Sequence, residues 1–172
     1  MNNDLLPEPW LRGTLTEVPP VHRGALHALE LAKEDVARWC RGLADAQLNA
    51  RPAGIPSVAF HLRHIARSVD RLLTYAEDKQ LRGAQLDALE SELDATATAH
   101  ELFSEFELAL VAAAARIRAL VCVPLDEARQ VGRRELPTTV GGLLVHIADH
   151  TQRHVGQAIT TAKVVRATNP QE

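Results

Sequence analysis

Four separate stretches of this chain repeat apolar residues at alternating steps of three and four, and that pattern limits its fold more than any other feature. The first stretch runs Leu26, Leu29, Ala32, Val36, Trp39, Leu43, and the second Val58, Leu62, Ile65, Val69, Leu72, Ala76. The third is Leu102, Phe106, Leu110, Ala113, Ile117, Leu120, and the last Val140, Leu144, Ile147, Val155, Ala158, Ala162. A helix turns about 100° per residue, so these steps gather side chains into one stripe per helix, which must be buried against another. Alternating runs of Val, Thr, Tyr and Phe are absent, and with 3 Phe, 2 Trp and 1 Tyr the core must be filled by Leu, Ala, Val and Ile. The expected class is all-α. Four matched stripes joined by short to moderate connections imply a four-helix bundle.

Punctuation places the helices. Pro7, Pro9, Gly13, Pro19 and Pro20 make residues 1–20 an extended N-terminal arm. Helix one then covers Val21 to about Leu43. Pro52, Gly54 and Pro56 break the chain, Ser57 is placed to cap helix two, and that helix runs to about Ala76. From Gly83 to Thr98 a polar run forms a loose connection with room for a helical turn. The third helix spans roughly His100 to Val121 and stops before Pro124. The stretch Val131 to Pro137 is expected to cross to a fourth helix, which begins at Thr138 or Thr139 and reaches about Arg166. Residues 167–172, with Asn169-Pro170, form a frayed tail. A length of 172 residues suits one domain over 1–172.

Charge and cysteine content exclude several classes of function. A net charge of −3, with Arg scattered among acids, supplies no positive field for nucleic acid. Cys40 and Cys122 form neither a CxxC nor a repeated spacing, so both are expected to be buried thiols rather than zinc ligands. No basic region followed by an apolar stretch opens the chain, and no segment approaches a membrane span, so a cytoplasmic protein without membrane attachment is expected.

Chemistry is concentrated in the histidines. His150 and His154 lie four residues apart, which stacks two imidazoles on one helix face beside the apolar seam. Two such nitrogens can grip one ion, and zinc or nickel needs at least a third protein ligand, for which His61 and His64 on helix two are the obvious donors. His61 lies about 60° from the seam centre and His64 about 120°, so periodicity by itself favours His61. His146 continues the ladder one turn before His150 but drifts from the seam, which makes it a neighbour of the site. The competing reading is that these histidines edge the core and bond to backbone or carboxylates. His22, His27 and His100 have no partner at a useful spacing and are assigned surface or satisfied roles.

The pattern Ser57-Val-Ala-Phe-His-Leu-Arg-His64-Ile-Ala-Arg-Ser, together with His150-Thr-Gln-Arg-His154-Val-Gly-Gln157, resembles the DinB-like (YfiT-related) family of metal-dependent enzymes. The likeness spans helix two through helix four. It implies a four-helix bundle with a three-histidine metal site, which carried onto this chain gives His64, His150 and His154. His61 and His146 are extra histidines that leave the ligand set open within each cluster. Relatives of this kind include thiol-dependent isomerases and S-transferases, so the resemblance implies a small-molecule substrate and a low-molecular-weight thiol as partners. It also allows a homodimer through an exposed helical face, although no dedicated interface can be read.

Three neutral imidazoles would leave a divalent ion its full charge and an open position for water, substrate or thiolate, which suits a hydrolase or a thiol-dependent transferase. The second histidine motif lacks the Glu of H-E-x-x-H, so metalloprotease chemistry is not supported. Gln157 is the best placed residue to orient a ligand, with Asp149 and Asp70 as weaker candidates. Gly156 is expected to permit close packing beside the site, Gly141 and Gly142 near the helix start, and Arg153 to be a surface charge. The rival class is a non-catalytic stress-response or binding module with a structural metal or none.

Overall fold

The computed structural model describes residues 6–93 and 97–168. Residues 1–5 of the expected arm and 169–172 of the expected tail lie outside the described residues. The fold is mostly helical with a small two-stranded sheet, which corrects the all-α expectation. Six α-helices are described: α1 Pro20–Trp39, α2 Asp45–Asn49, α3 Val58–Ala76, α4 Gly83–Glu90, α5 Ala99–Ala119 and α6 Val140–Thr168. Strands β1 Ala128–Val131 and β2 Leu136–Thr139 form an antiparallel hairpin between α5 and α6, with Ala128 opposite Thr139 and Val131 opposite Leu136.

Local chemistry explains most boundaries. Pro20 opens α1, where a missing N–H costs nothing. That helix stops at Trp39, short of the expected Leu43, because Gly42 takes a positive φ of 84° and turns the chain, while Leu43 still reaches the core at 4% exposure. Ser57 caps α3 as expected, its hydroxyl accepting from the Phe60 N–H at 3.1 Å. Thr98 and Glu101 form a reciprocal capping box at the start of α5. The Thr139 hydroxyl accepts from the Gly142 N–H at 3.0 Å and secures the start of α6.

The connection after Gly83, expected to be loose with at most a helical turn, holds the two-turn helix α4 followed by a 3₁₀ turn at Ser91–Leu93. The expected crossing segment after Val131 is the tip and return strand of the hairpin, where Gly132 and Glu135 both have positive φ. Buried Arg129 ties the hairpin to the end of α3 by donating from Nε to the Ala76 carbonyl at 2.8 Å.

α6 packs on α1 and α3, α3 on α5, and α1 on α5, so the apolar stripes meet in one core. Leu26, Leu62, Ile65, Phe106, Ile117, Leu144 and Ile147 are essentially inaccessible. Before α1, a 3₁₀ turn at Pro9–Leu11 leads into a segment held to that helix by Arg12, whose guanidinium makes a two-pronged ion pair with Glu34. Cys40 is buried, but Cys122 is exposed because it falls in the turn after α5, which corrects the expectation for that thiol. Among the described residues no helix is long and apolar enough to cross a membrane.

Candidate metal centre

The packing of α3 against α6 brings four histidines from the two helices into contact. His64, His150 and His154 each offer a ring nitrogen, and these three atoms lie within 4.8 Å of one another. The closest approach is His64 Nε2 to His150 Nε2 at 3.1 Å. Tetrahedral zinc with bonds of about 2.05 Å needs nitrogens about 3.3 Å apart, so that pair stands near the spacing an ion requires. The ring centroids of His64 and His154 are 4.4 Å apart, and those of His150 and His154 4.6 Å.

What holds each ring is readable from its second nitrogen. His64 Nδ1 donates to Glu92 Oε2 at 2.7 Å, and the other carboxylate oxygen accepts from Arg71 Nη1 at 2.8 Å. His150 Nδ1 faces Ser68 Oγ at 3.4 Å, and that hydroxyl is itself committed as a donor to the Ile65 carbonyl. Ser68 is therefore left to accept, which puts a proton on His150 Nδ1. With both Nδ1 atoms donating outward, two Nε2 lone pairs face each other across 3.1 Å. Such an arrangement is repulsive unless a cation lies between them, so the donor set fits a divalent ion. A carboxylate or hydroxyl behind each ligating imidazole is the usual support for such a site.

His61 occupies a different place from its neighbour. It is 3% exposed, and its Nδ1 meets His154 Nδ1 at 3.1 Å, so it supports the third ring. When the shared proton sits on His154 Nδ1, Nε2 of His154 keeps its lone pair. Phe60 packs against the group, stacked on His64 and edge-on to His61. His146 is exposed, and among the described residues its ring meets that of His150, with centroids 5.4 Å apart.

Burial disfavours the charged form of three of the rings. It pushes the His61, His150 and His154 imidazoles down to about 4, helped by the neighbouring histidines and, for the two on α6, by the Arg153 charge. Burial works in the opposite direction on Glu92, yet hydrogen bonds from His64 and Arg71 outweigh it and hold that carboxyl below its usual range. Neutral imidazoles at His150 and His154 are the protonation states that metal binding needs.

Other assignments move. Gln157 is exposed and makes no hydrogen bond to any of these histidines among the described residues. Asp149 pairs with Arg153, and Asp70 with Arg116 and Gln85, so neither orients a ring. Glu92 and Ser68 do so, and sequence reasoning missed both. Glu92 carries no motif and lies in a segment expected to be loose, while Ser68, one turn after His64 on α3, could have been found from helical spacing. A methyl on Gly142 would come within 2.8 Å of Thr138 Oγ1, and one on Gly141 within 3.0 Å of the Leu125 carbonyl, so both glycines permit close approach as expected. Gly156 has nothing within 4 Å of such a methyl and instead lines an open cleft beside the site, which corrects the close packing expected there. Arg153 lines the same cleft. His22 bonds the Leu120 carbonyl, His27 bonds Thr14, and His100 is exposed.

A mostly helical protein with a histidine cluster suited to a divalent ion, built between two of its long helices, is the class that fold and site define. Its sequence matches the family model described as the DinB superfamily over residues 28–158. The chain belongs to the DinB superfamily. No curated protein and no solved structure matches it.

Proposed function

We propose that this chain is a metal-dependent enzyme in which His64, His150 and His154 hold zinc or nickel and which acts as a hydrolase or a thiol-dependent S-transferase or isomerase. The convergence of three supported imidazoles carries this reading. Structural zinc is usually closed by four protein ligands, whereas three leave room for a reactant. His61 is the nearest fourth imidazole, and its Nδ1 is engaged with His154, which favours a catalytic over a structural ion. In this reading α1, α3, α5 and α6 form the DinB-type four-helix bundle.

A divalent ion at this position supplies Lewis acidity, which makes a water or thiol presented to it more acidic. The chain does the rest. Glu92 and Ser68 fix the tautomers of His64 and His150, His61 supports His154, and Phe60 shields the rings from water. No H-E-x-x-H glutamate is present, so a proton must be handled by another group or by the substrate itself.

Metal content decides the matter. Untagged protein, dialysed and measured by inductively coupled plasma mass spectrometry, should carry close to one zinc or nickel per chain, and His64→Ala should lose it while keeping its helical circular dichroism. An unaltered chain that stays metal-free after reconstitution with either ion would overturn the reading.

A further inference from the structure

Beside the histidine cluster a cleft of about 390 Å³ opens between α6 and the loop that precedes α3. Among its lining residues are one cation and several neutral polar groups, and no carboxylate. His61 belongs to both places: its side chain lines the cleft, and its Nδ1 lies 3.1 Å from His154 Nδ1. The cleft therefore begins where the candidate metal centre ends.

Arg153 is the cation. It pairs with Asp149 one helical turn back, but the two side chains are 55% and 54% exposed, so water screens the pair and it holds weakly. A carboxylate entering the cleft can take that guanidinium in the planar two-pronged geometry that arginine favours. Gln157, one turn further along α6, has no hydrogen bond committed elsewhere among the described residues and can donate its amide to the same group. Ile55 and Pro56 supply an apolar wall, and Gly156 adds no side chain, which leaves space for a short carbon skeleton.

We propose that this cleft binds the substrate and selects a small molecule bearing a carboxylate, with the carboxylate held by Arg153 and Gln157 and the reacting end directed toward the histidine cluster. The position of the reacting end rests on the metal-enzyme reading; recognition of the carboxylate does not. Arg153, the surface charge expected from the sequence, is thus also a specificity-determining residue.

The test separates the two claims. Zinc is titrated first into the unaltered protein and into Arg153→Gln, and both should bind one equivalent. The zinc-loaded proteins are then titrated calorimetrically with 3-mercaptopropionate and with 3-mercaptopropanol, which share a thiol and differ in the carboxylate. The unaltered protein should prefer the acid by about ten-fold or more, the scale of a charge-assisted hydrogen bond, and Arg153→Gln should bring the two within about two-fold. Equal binding by the unaltered protein, or a preference that survives in Arg153→Gln, overturns the proposal. Should no zinc bind, the metal reading has failed by itself, and propionate titrated into metal-free protein decides the cleft. Amide shifts at Gly156 and Gln157 that Arg153→Gln abolishes would support it, and their absence from the unaltered protein would overturn it.

Discussion

Glu92 sits almost wholly buried, at 5% exposure, between a histidine and an arginine, and that position makes it the sharpest probe of the centre at the level of single residues. Glu92→Gln keeps the shape and an acceptor for His64 Nδ1 but removes the charge that strengthens the ring as a donor. Zinc affinity should fall by about ten-fold, the lower end of what outer partners of metal ligands contribute, with stoichiometry unchanged. Competition against a fluorescent chelator measures it, and an unaltered affinity would mean that Glu92 serves only the His64–Arg71 packing. The pair on α6 was legible in the sequence because both histidines lie on one helix. The choice between His61 and His64 was not. Periodicity ranked His61 as the more deeply placed, and it is, but an imidazole needs a partner on its far side as well as burial. Only the fold brings Glu92 to His64, across 28 residues and through a turn that follows α4.

Among the elements, α6 carries most of the chemistry and also contains three glycines that differ in kind. Gly141 and Gly142 sit where added methyls would strike Leu125 and Thr138, so they are fixed by packing. Gly156 faces open space in a helix interior, where glycine is about 1 kcal/mol less favourable than alanine. Gly156→Ala should therefore raise unfolding free energy by about 0.5–1 kcal/mol in urea titrations while narrowing the cleft beside His61. A destabilised variant would show that something packs against this position in solution. The long helices were readable because twenty or so residues of three-four spacing overdetermine a stripe. The hairpin was not, since its strands are four residues each and Pro137 in β2 argues against a strand until the fold makes it an edge. The eight-residue α4 was legible as no more than a helical turn for a related reason: Gln85 is its one buried residue, so it has no apolar stripe to detect.

For the whole molecule, the histidine cluster ties stability to pH when no metal is bound. His61, His150 and His154 titrate near 4 in the folded chain against an ordinary value of 6.5, because burial and their mutual proximity oppose a charge. Above the unfolded value both states are neutral and the fold keeps its full stability. As pH falls through that value the unfolded chain takes up protons that the folded chain refuses, so stability declines until the folded value is reached and then levels. His61 should contribute most, since it is the most buried, and the half-buried pair less, since water screens them. The depressed carboxyls of Glu34, Glu77, Glu92 and Glu101 have an ordinary value of 4.5 and lose their contribution only as pH falls through their lower folded values, while burial raises Asp35, whose protonation opposes the decline; the fall above pH 4.5 therefore belongs to the histidines. Urea midpoints of the metal-free protein should drop steadily between about pH 6.5 and pH 4.5. Zinc should raise the curve by binding only the folded chain, and lose that effect only as pH approaches the folded value of about 4, where protons compete for the same lone pairs. A midpoint that stays flat without metal would mean that the three rings are solvated and take up protons as readily in the folded chain as in the unfolded one.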